Sequence, residues 1–302
     1  YQRQDNASTI QETVEKNILT VDNSQTALPP VYITHTSDVE NKWIIQDTEG
    51  MVDLTFSPIS KDERTLNIIA IRRTSNTIYG SFEGTFILKN KNADCSLVLN
   101  NVKITSSQNG PAIRTTSDYT RTFFVVPEGT VNTIADSRTL ETDLLDDKKG
   151  SIYAKGTLIF TGTKADEEKY GSLKVINNGY KHAVYSKDYI RIANLNLEVS
   201  CAGRDCIRSL NGVIIDSGKI SLTGTGTVYD DESVGIKVEG EDADEDEKTV
   251  TYSKGCGFII INGGNITIDT VGKGITAHWK VDETFITNQE YTQKDCNKSF
   301  YY

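Results

Sequence analysis

Short stretches of alternating apolar and polar residues recur along the chain from about residue 94 to residue 279. Aliphatic and β-branched residues occupy every second position in them, which is the period of a strand with one buried face. The clearest repeat aligns residues 183–199 with residues 206–222, a shift of 23 residues. Each unit holds three such strands, and a single unit can bury its apolar face only against a neighbour. The pattern therefore predicts an all-β fold, a right-handed parallel β-helix with three strands per coil.

The N-terminal region has a different pattern. Thr9 and Glu12 form a capping box, and the apolar residues after it recur every four positions. This predicts a helix over about residues 9–20 that covers the open end of the coil, where strand edges would otherwise recruit other strands. We expect three segments, which are a capping helix with irregular strands in 1–80, the β-helix in 81–280 and a tail in 281–302.

One column of residues carries the chemistry best suited to binding. Each member directly follows the β-branched anchor of a coil's first strand, so alternation turns it away from the core. Stacked coils would hold the members about 4.8 Å apart. Tyrosine rings can pack on sugar faces, and arginine can form paired hydrogen bonds with carboxylates. We predict a ligand-binding column, with an ordinary solvated strand face as the alternative, made of Arg114, Tyr153, Tyr185, Arg208 and Lys237, and continued by Thr276.

Acidic residues at one corner suggest a cation site. Asp230, Asp231 and Glu232 lie in the turn before one coil, and Asp205 lies just before the first strand of the coil preceding it. Clustered carboxylate oxygens are the ligands that Ca²⁺ prefers, so calcium is a candidate cofactor, and a charged turn without an ion is the alternative. The acidic run that starts at Glu239 lacks the glycine of an EF-hand loop and is interpreted as a solvated insertion.

Composition narrows the partners. The net charge of −10 argues against nucleic acid and anionic membranes, but it does not exclude a local basic strip. No run of roughly 18 apolar residues exists, so we expect no membrane span, and the start at Tyr1 suggests a mature or trimmed form. The odd number of cysteines at irregular spacing indicates buried thiols rather than a disulfide framework: Cys95, Cys201, Cys206, Cys256 and Cys296.

Catalytic motifs are absent from the sequence. Its histidines, which are His35, His182 and His278, lie in no nucleophile or metalloprotease motif. Asp205 and Asp230 are the acids that a glycoside hydrolase would need to face each other, and Arg208 or Lys237 is the base that a lyase would need. We therefore expect a protein that is not an enzyme.

Three segments resemble a known family. Residues 97–104 match its LxLNxVxI pattern, residues 123–136 match a strand followed by (D/E)GTxNxI, and residues 203–209 match its GxDGI(R/K) corner. The family comprises secreted bacterial carbohydrate-binding proteins with a pectate-lyase-like parallel β-helix, and the resemblance covers about residues 94–279. Only Asp205 coincides with the aspartate of the family's corner, because the equivalent positions hold His182, Val234 and Lys273.

The resemblance implies a calcium-bearing, extracytoplasmic protein, secreted or anchored at the cell surface, that binds acidic polysaccharides such as polygalacturonate without established cleavage. In this chain the basic column is the candidate for direct contact with the ligand in place of calcium. Two other functions stay open from the residues. One is a polysaccharide lyase or hydrolase on the same scaffold, and the other is a structural or adhesive surface protein that uses the coil as a rigid rod.

Overall fold

Strands make up almost all of the regular structure. The only helical turn among the described residues is a 3-10 helix at Glu167–Lys169, and no described helix is long and apolar enough to cross a membrane. The helix expected over residues 9–20 lies outside the described residues. The computed structural model describes residues 30–36, 42–47, 52–58, 64–70, 74–90, 94–106, 110–117, 120–138, 149–228, 233–240 and 257–279.

The first strands form two hairpins against a long strand. Their bounds are β1 Pro30–Thr36, β2 Lys42–Asp47, β3 Val52–Pro58, β4 Arg64–Ala70, β5 Thr74–Asn90 and β6 Cys95–Ser106. β1 pairs antiparallel with β2, and β3 pairs antiparallel with β4. β1 and β4 each pair in parallel with a different part of β5, which in turn pairs in parallel with β6. Strand β5 continues through residue 80, where the sequence analysis placed a domain boundary; that boundary stays a prediction.

The later strands come in successive groups of three. The bounds are β7 Ile113–Thr115, β8 Arg121–Val126, β9 Val131–Asp136, β10 Gly150–Ala154, β11 Thr157–Gly162, β12 Ser172–Asn177, β13 His182–Ser186, β14 Tyr189–Ala193, β15 Asn196–Cys201, β16 Ile207–Ser209, β17 Gly212–Ile215, β18 Lys219–Gly224, β19 Ile236–Gly240, β20 Phe258–Ile261, β21 Asn265–Thr270 and β22 Ile275–Trp279.

Every third strand pairs in parallel, which produces three stacks. The first stack is β7, β10, β13, β16, β19 and β22. The second is β8, β11, β14, β17 and β20. The third is β9, β12, β15, β18 and β21. One strand from each stack makes a coil, so the pairing is that of a parallel β-helix; the right-handed sense of the coil stays a prediction.

The register confirms the repeat deduced from the sequence. Val184 pairs with Ile207, Ile190 with Val213 and Leu197 with Ile220, all at the expected shift of 23 residues. Alternate side chains point into the coil and form one continuous apolar core from Ile78 to Ala277. The coils are therefore aligned by rows of stacked aliphatic side chains.

A bulge at Asn101 shows what the Asn-containing motifs do. Between β5 and β6 the register shifts, and Asn101 adopts a positive φ of 56°. The buried Asn132 accepts a hydrogen bond from the backbone N–H of Val102 at 3.0 Å and donates to the hydroxyl of Thr130 at 3.0 Å. These side chains satisfy backbone groups that a regular ladder would have paired. The motif residue Asn132 therefore has a structural role.

A second apolar cluster lies outside this core, largely on the second stack. The ring of Phe258 packs over Gly212, where an added Cβ would lie 2.4 Å from the ring, and it also packs against Tyr189 at a centroid distance of 5.9 Å. The other buried members of the cluster are Phe123, Ile159 and Ile214. Glycine is needed at position 212 because the ring fills the space above it.

The last coil is less completely buried than those before it. Ile266 and Ile268 on β21 point inward but are only partly buried, whereas their partners Ile220 and Leu222 on β18 are 2% and 1% exposed. The inward-facing side chains of the apolar core are therefore less completely buried towards β22.

We expect Ile207→Ala to lower the free energy of unfolding by about 2–5 kcal/mol, because Ile207 is fully buried and truncation leaves a cavity. Val131→Ala is the control, since Val131 is 67% exposed and its truncation should change stability by about 0.5 kcal/mol or less. Urea unfolding followed by circular dichroism measures both. Equal losses for the two variants would contradict the assigned core.

Candidate ligand-binding site

The first stack brings the predicted binding residues into one column. Its pairing places Arg114 beside Tyr153, Tyr153 beside Tyr185, Tyr185 beside Arg208 and Arg208 beside Lys237, with Thr276 next. None of them belongs to the apolar core inside the coil. The order and adjacency deduced from the sequence are therefore present in the structure, whereas the binding role stays a prediction.

The two tyrosines lie outside the inner core, but their rings are not open to solvent. Tyr153 and Tyr185 are 3% and 2% exposed, and Thr276 is 4% exposed. The tyrosine rings stack at a centroid distance of 5.7 Å with an interplanar angle of 10°. The ring of His182 packs 5.4 Å from that of Tyr185, and the ammonium of Lys149 lies 6.0 Å from the centre of the same ring. Because neighbours cover these rings, they cannot present open faces to a sugar in this structure.

Arg208 and Lys237 belong to a compact cluster of opposite charges. The guanidinium of Arg208 binds the carboxylates of Glu239 and, at 3.3 Å, Asp205. The ammonium of Lys237 lies 2.8 Å from the carboxylate of Glu239. The side chains of Arg208, Lys237 and Glu239 are 16–22% exposed. Two cations thus face two carboxylates in a partly buried setting, and the cluster is close to electrically neutral.

Asp205 is held by groups of its own chain. Its Oδ1 accepts a hydrogen bond from the backbone N–H of Val234 at 3.2 Å, and its Oδ2 accepts one from the guanidinium of Arg208 at 3.3 Å. Burial acts to raise the pKa of this carboxyl, but the contact with His182, whose Nδ1 lies 3.2 Å from Oδ2, and the charges of Lys237 and Arg208 outweigh burial and lower the pKa. Asp205 is therefore an anion whose two oxygens are already engaged.

These contacts do not suit a calcium ligand. Ca²⁺ requires several oxygens free to turn toward it, and the cations beside Asp205 would repel it. The described part of the chain contains no group of three or more His, Cys, Asp or Glu residues placed to hold a metal ion. The other predicted calcium ligands, Asp230, Asp231 and Glu232, lie outside the described residues.

His182 is a buried neutral histidine. Its Nδ1 accepts a hydrogen bond from the backbone N–H of Asp205 at 3.1 Å. Burial lowers the pKa of His182 from 6.5 to about 4, and the neighbouring carboxylate of Asp205 only partly opposes this effect. At neutral pH the ring is therefore uncharged and serves to pack Tyr185 and position Asp205.

Arg114 differs from the other cations of the column. It is half-buried on the three-residue strand β7, next to Ile87 on one side and Tyr153 on the other. No hydrogen bond or ion pair joins its guanidinium to any of the described residues, and its buried Nε has no partner. Its charge is thus uncompensated by contact within the described chain.

The sequence interpretation missed two residues of the site. Glu239 was assigned to a solvated insertion, but it is the last but one residue of β19 and neutralises two cations. The spacing of Lys237 and Glu239 places both side chains on one strand face, and this alternation was the available signal. Lys149 precedes β10, and nothing in the pattern predicted its position over Tyr185.

The buried state predicted for the cysteines is confirmed where the structure describes them. Cys95, Cys201 and Cys206 are buried and form no disulfide. Burial raises the pKa of the Cys201 thiol to about 12, and it also raises the pKa of Cys206. These thiols are therefore unreactive in the folded chain. Cys256 and Cys296 lie outside the described residues.

A parallel three-stack coil with a row of cations on one side is an architecture suited to binding polysaccharide. Comparison with known proteins agrees at this level. The model of the carbohydrate-binding domain-containing family matches residues 63–297, and the chain belongs to that family. A model for a domain of unknown function, DUF2804, matches residues 6–97.

A solved structure shares the fold. It is described as the polysaccharide lyase-like protein from C. thermocellum, in a gadolinium derivative. The two chains superpose with a TM-score of 0.58 over 84% of this chain and 96% of the other, at 18% sequence identity. No curated protein matches this sequence.

We expect acidification to destabilise the fold through His182. The unfolded chain protonates this residue near pH 6.5 and the folded chain only near pH 4, so the unfolded state binds more protons between these values. Stability should fall as the pH is lowered through this window, by roughly 3 kcal/mol in total from this group.

Urea unfolding of the wild type and of His182→Gln at about pH 7 and about pH 4.5 isolates this contribution, because the carboxylates titrate in both proteins. The variant should lose markedly less stability than the wild type on acidification. Identical losses would show that His182 is not the buried neutral group described above.

Proposed function

We propose that this protein is a non-catalytic, extracytoplasmic polysaccharide-binding protein, built as a right-handed β-helix, that binds acidic, uronic-acid-rich polymers along its first stack. The observation that carries the proposal is a column, in a chain of a carbohydrate-binding family, in which Arg208 and Lys237 stand on neighbouring coils and Arg114 stands three coils from Arg208. An extended polymer lying along the axis of the coil would meet two cations about 4.8 Å apart and a third cation three coils further along.

The tyrosines have a supporting role in this proposal. The stacked Tyr153 and Tyr185 are buried, so they act as a rigid spacer between the cation at Arg114 and the cluster around Arg208. Rigid spacing fixes the distance between the charges before the ligand arrives, which lowers the entropic cost of binding. Recognition then rests on charge and hydrogen bonding more than on aromatic stacking.

A lyase on the same scaffold is the second candidate. The related structure is described as polysaccharide lyase-like, and the ring of His182 packs against that of Tyr185. A base that abstracts a proton must be accessible and unprotonated. His182 is buried, and Lys237 is held by Glu239. These contacts support binding without cleavage. Ultraviolet absorbance from an unsaturated product during incubation with polygalacturonate would overturn that proposal.

We expect saturable binding of polygalacturonate, measured by isothermal titration calorimetry. The affinity should fall as salt is added, because screening weakens contacts between exposed charges. A neutral polymer such as unmodified cellulose should give much weaker binding. Equal binding of both polymers, insensitive to salt, would contradict an acidic specificity, and no binding of any polysaccharide would remove the proposed function.

A matched pair of variants tests whether the first stack is the binding face. Lys237→Gln removes the ammonium group that pairs with Glu239 on the first stack. Lys174→Gln removes the ammonium group that pairs with Glu198 on the third stack. We expect Lys237→Gln to weaken polygalacturonate binding by roughly 2- to 5-fold and Lys174→Gln to have little effect. The reverse order of effects would move the site to the third stack.

The need for calcium has to be tested separately. The resemblance to secreted carbohydrate-binding proteins implies a bound calcium ion, whereas the contacts of Asp205 do not suit a calcium ligand. We expect the affinity for polygalacturonate to be unchanged when calcium is replaced by a chelator. Loss of binding in the chelator would support metal ligands elsewhere in the chain, with Asp230, Asp231 and Glu232 the first to substitute.

A further inference from the structure

We propose that Arg114 is the specificity-determining residue of the column, the side chain that recognises an anionic group of the polymer. This inference rests on the proposed function and assigns its charge selectivity to one residue. The ligand group is an oxyanion with at least two acceptor oxygens, which describes the carboxylate of a uronic acid and also a sulfate ester.

Arg114 and Arg208 occupy equivalent positions on their strands but differ in their partners. Both arginines follow the buried isoleucine of their strand, and both have a buried Nε without a hydrogen-bond partner. The terminal nitrogens of Arg208 are occupied by Asp205 and Glu239. The guanidinium of Arg114 contacts no acceptor within the described chain. A ligand would have to displace a carboxylate from Arg208, whereas it meets a vacant donor set at Arg114.

The charge of Arg114 favours an external partner. No carboxylate of the described residues neutralises it, and its Nε is buried, so a ligand would bind through the remaining N–H groups of the guanidinium. A half-buried cation without a counter-ion gains more from an incoming oxyanion than a cation that is already paired. The planar fork of donors on Arg114 suits the two oxygens of a carboxylate better than any single-point acceptor.

The surroundings of Arg114 strengthen such a contact. On one side the next strand contributes Ile87, which is half-buried, and on the other it contributes the fully packed Tyr153. These neighbours carry no charge and exclude water from part of the guanidinium. An ion pair formed in this setting is screened less than one formed on an open surface.

The decisive experiment compares Arg114→Gln with Arg191→Gln by calorimetric titration. Arg191 is a control arginine on the second stack, where Asp216 accepts from its Nε at 2.5 Å. The ligands are polygalacturonate, its fully methyl-esterified form and a sulfated dextran. We expect Arg114→Gln to weaken polygalacturonate binding by about 10- to 100-fold and to leave binding of the esterified polymer unchanged. Arg191→Gln should behave as the wild type.

Arg114→Lys keeps the charge and loses the fork, so an intermediate affinity is expected if paired hydrogen bonding matters. This variant also guards against misfolding of the glutamine variant, and circular dichroism checks both. If the sulfated polymer alone responds to the substitution, the inference holds and the anion recognised is a sulfate ester.

The failures of the two proposals are distinguishable. A wild type that binds no acidic polymer removes the proposed function itself. If Arg114→Gln binds polygalacturonate and the sulfated dextran as tightly as the wild type does, Arg114 is not the specificity-determining residue. The proposed function is unaffected by that result.

Discussion

The structure depends on the stacking of inward-facing aliphatic side chains from one coil to the next. Residues such as Val184 and Ile207 sit directly above one another in neighbouring strands, and this contact recurs in all three stacks. A slip of one residue would turn every apolar side chain of a strand outward, so the core fixes the register strictly. The outward columns inherit that register without any interaction of their own. The placement of Arg114, Tyr153, Tyr185 and Arg208 in a line is therefore a consequence of the core.

The sequence was informative where period and repeat spacing decide the outcome. The 23-residue shift predicted the pairing of β13 with β16 and the order of the basic and aromatic column. It did not predict that Tyr185 is buried, because alternation says which face a residue occupies and not what packs over that face. The contact of Arg208 with Glu239 was missed for a related reason. Composition made the acidic run look solvated, although its first residue continues the alternation of β19.

Charge in the column is arranged in two ways. Around Arg208 the cations are paired with the carboxylates of Glu239 and Asp205. Removing one partner would leave a partly buried charge without a counter-ion, so these side chains are held in place. Arg114, three coils away along the column, is unmatched within the described chain. One column thus combines a fixed electrostatic frame with an open donor, separated by two stacked aromatic rings.

The sequence motifs that indicate the family contain residues that stabilise the backbone of the coil. Asn132 repairs the hydrogen bonding around a bulge, and Asp205 holds the backbone of Val234 at a corner. Side chains that shape turns and bulges stabilise the coil whatever it binds, so such motifs are a guide to fold and a weak guide to ligand. The residues on which ligand choice depends are better sought on the outward strand positions, where the coil tolerates change.

The partly buried isoleucines of β21 have a consequence for how the molecule comes apart. In a solenoid each coil is stabilised mainly by its immediate neighbours, so the free energy of the whole approximates a sum over adjacent pairs. The coil that contains Ile266 and Ile268 gains less from burial than the coil beneath it. Fraying would begin there and advance towards β5, with each departing coil exposing the aliphatic row of the next.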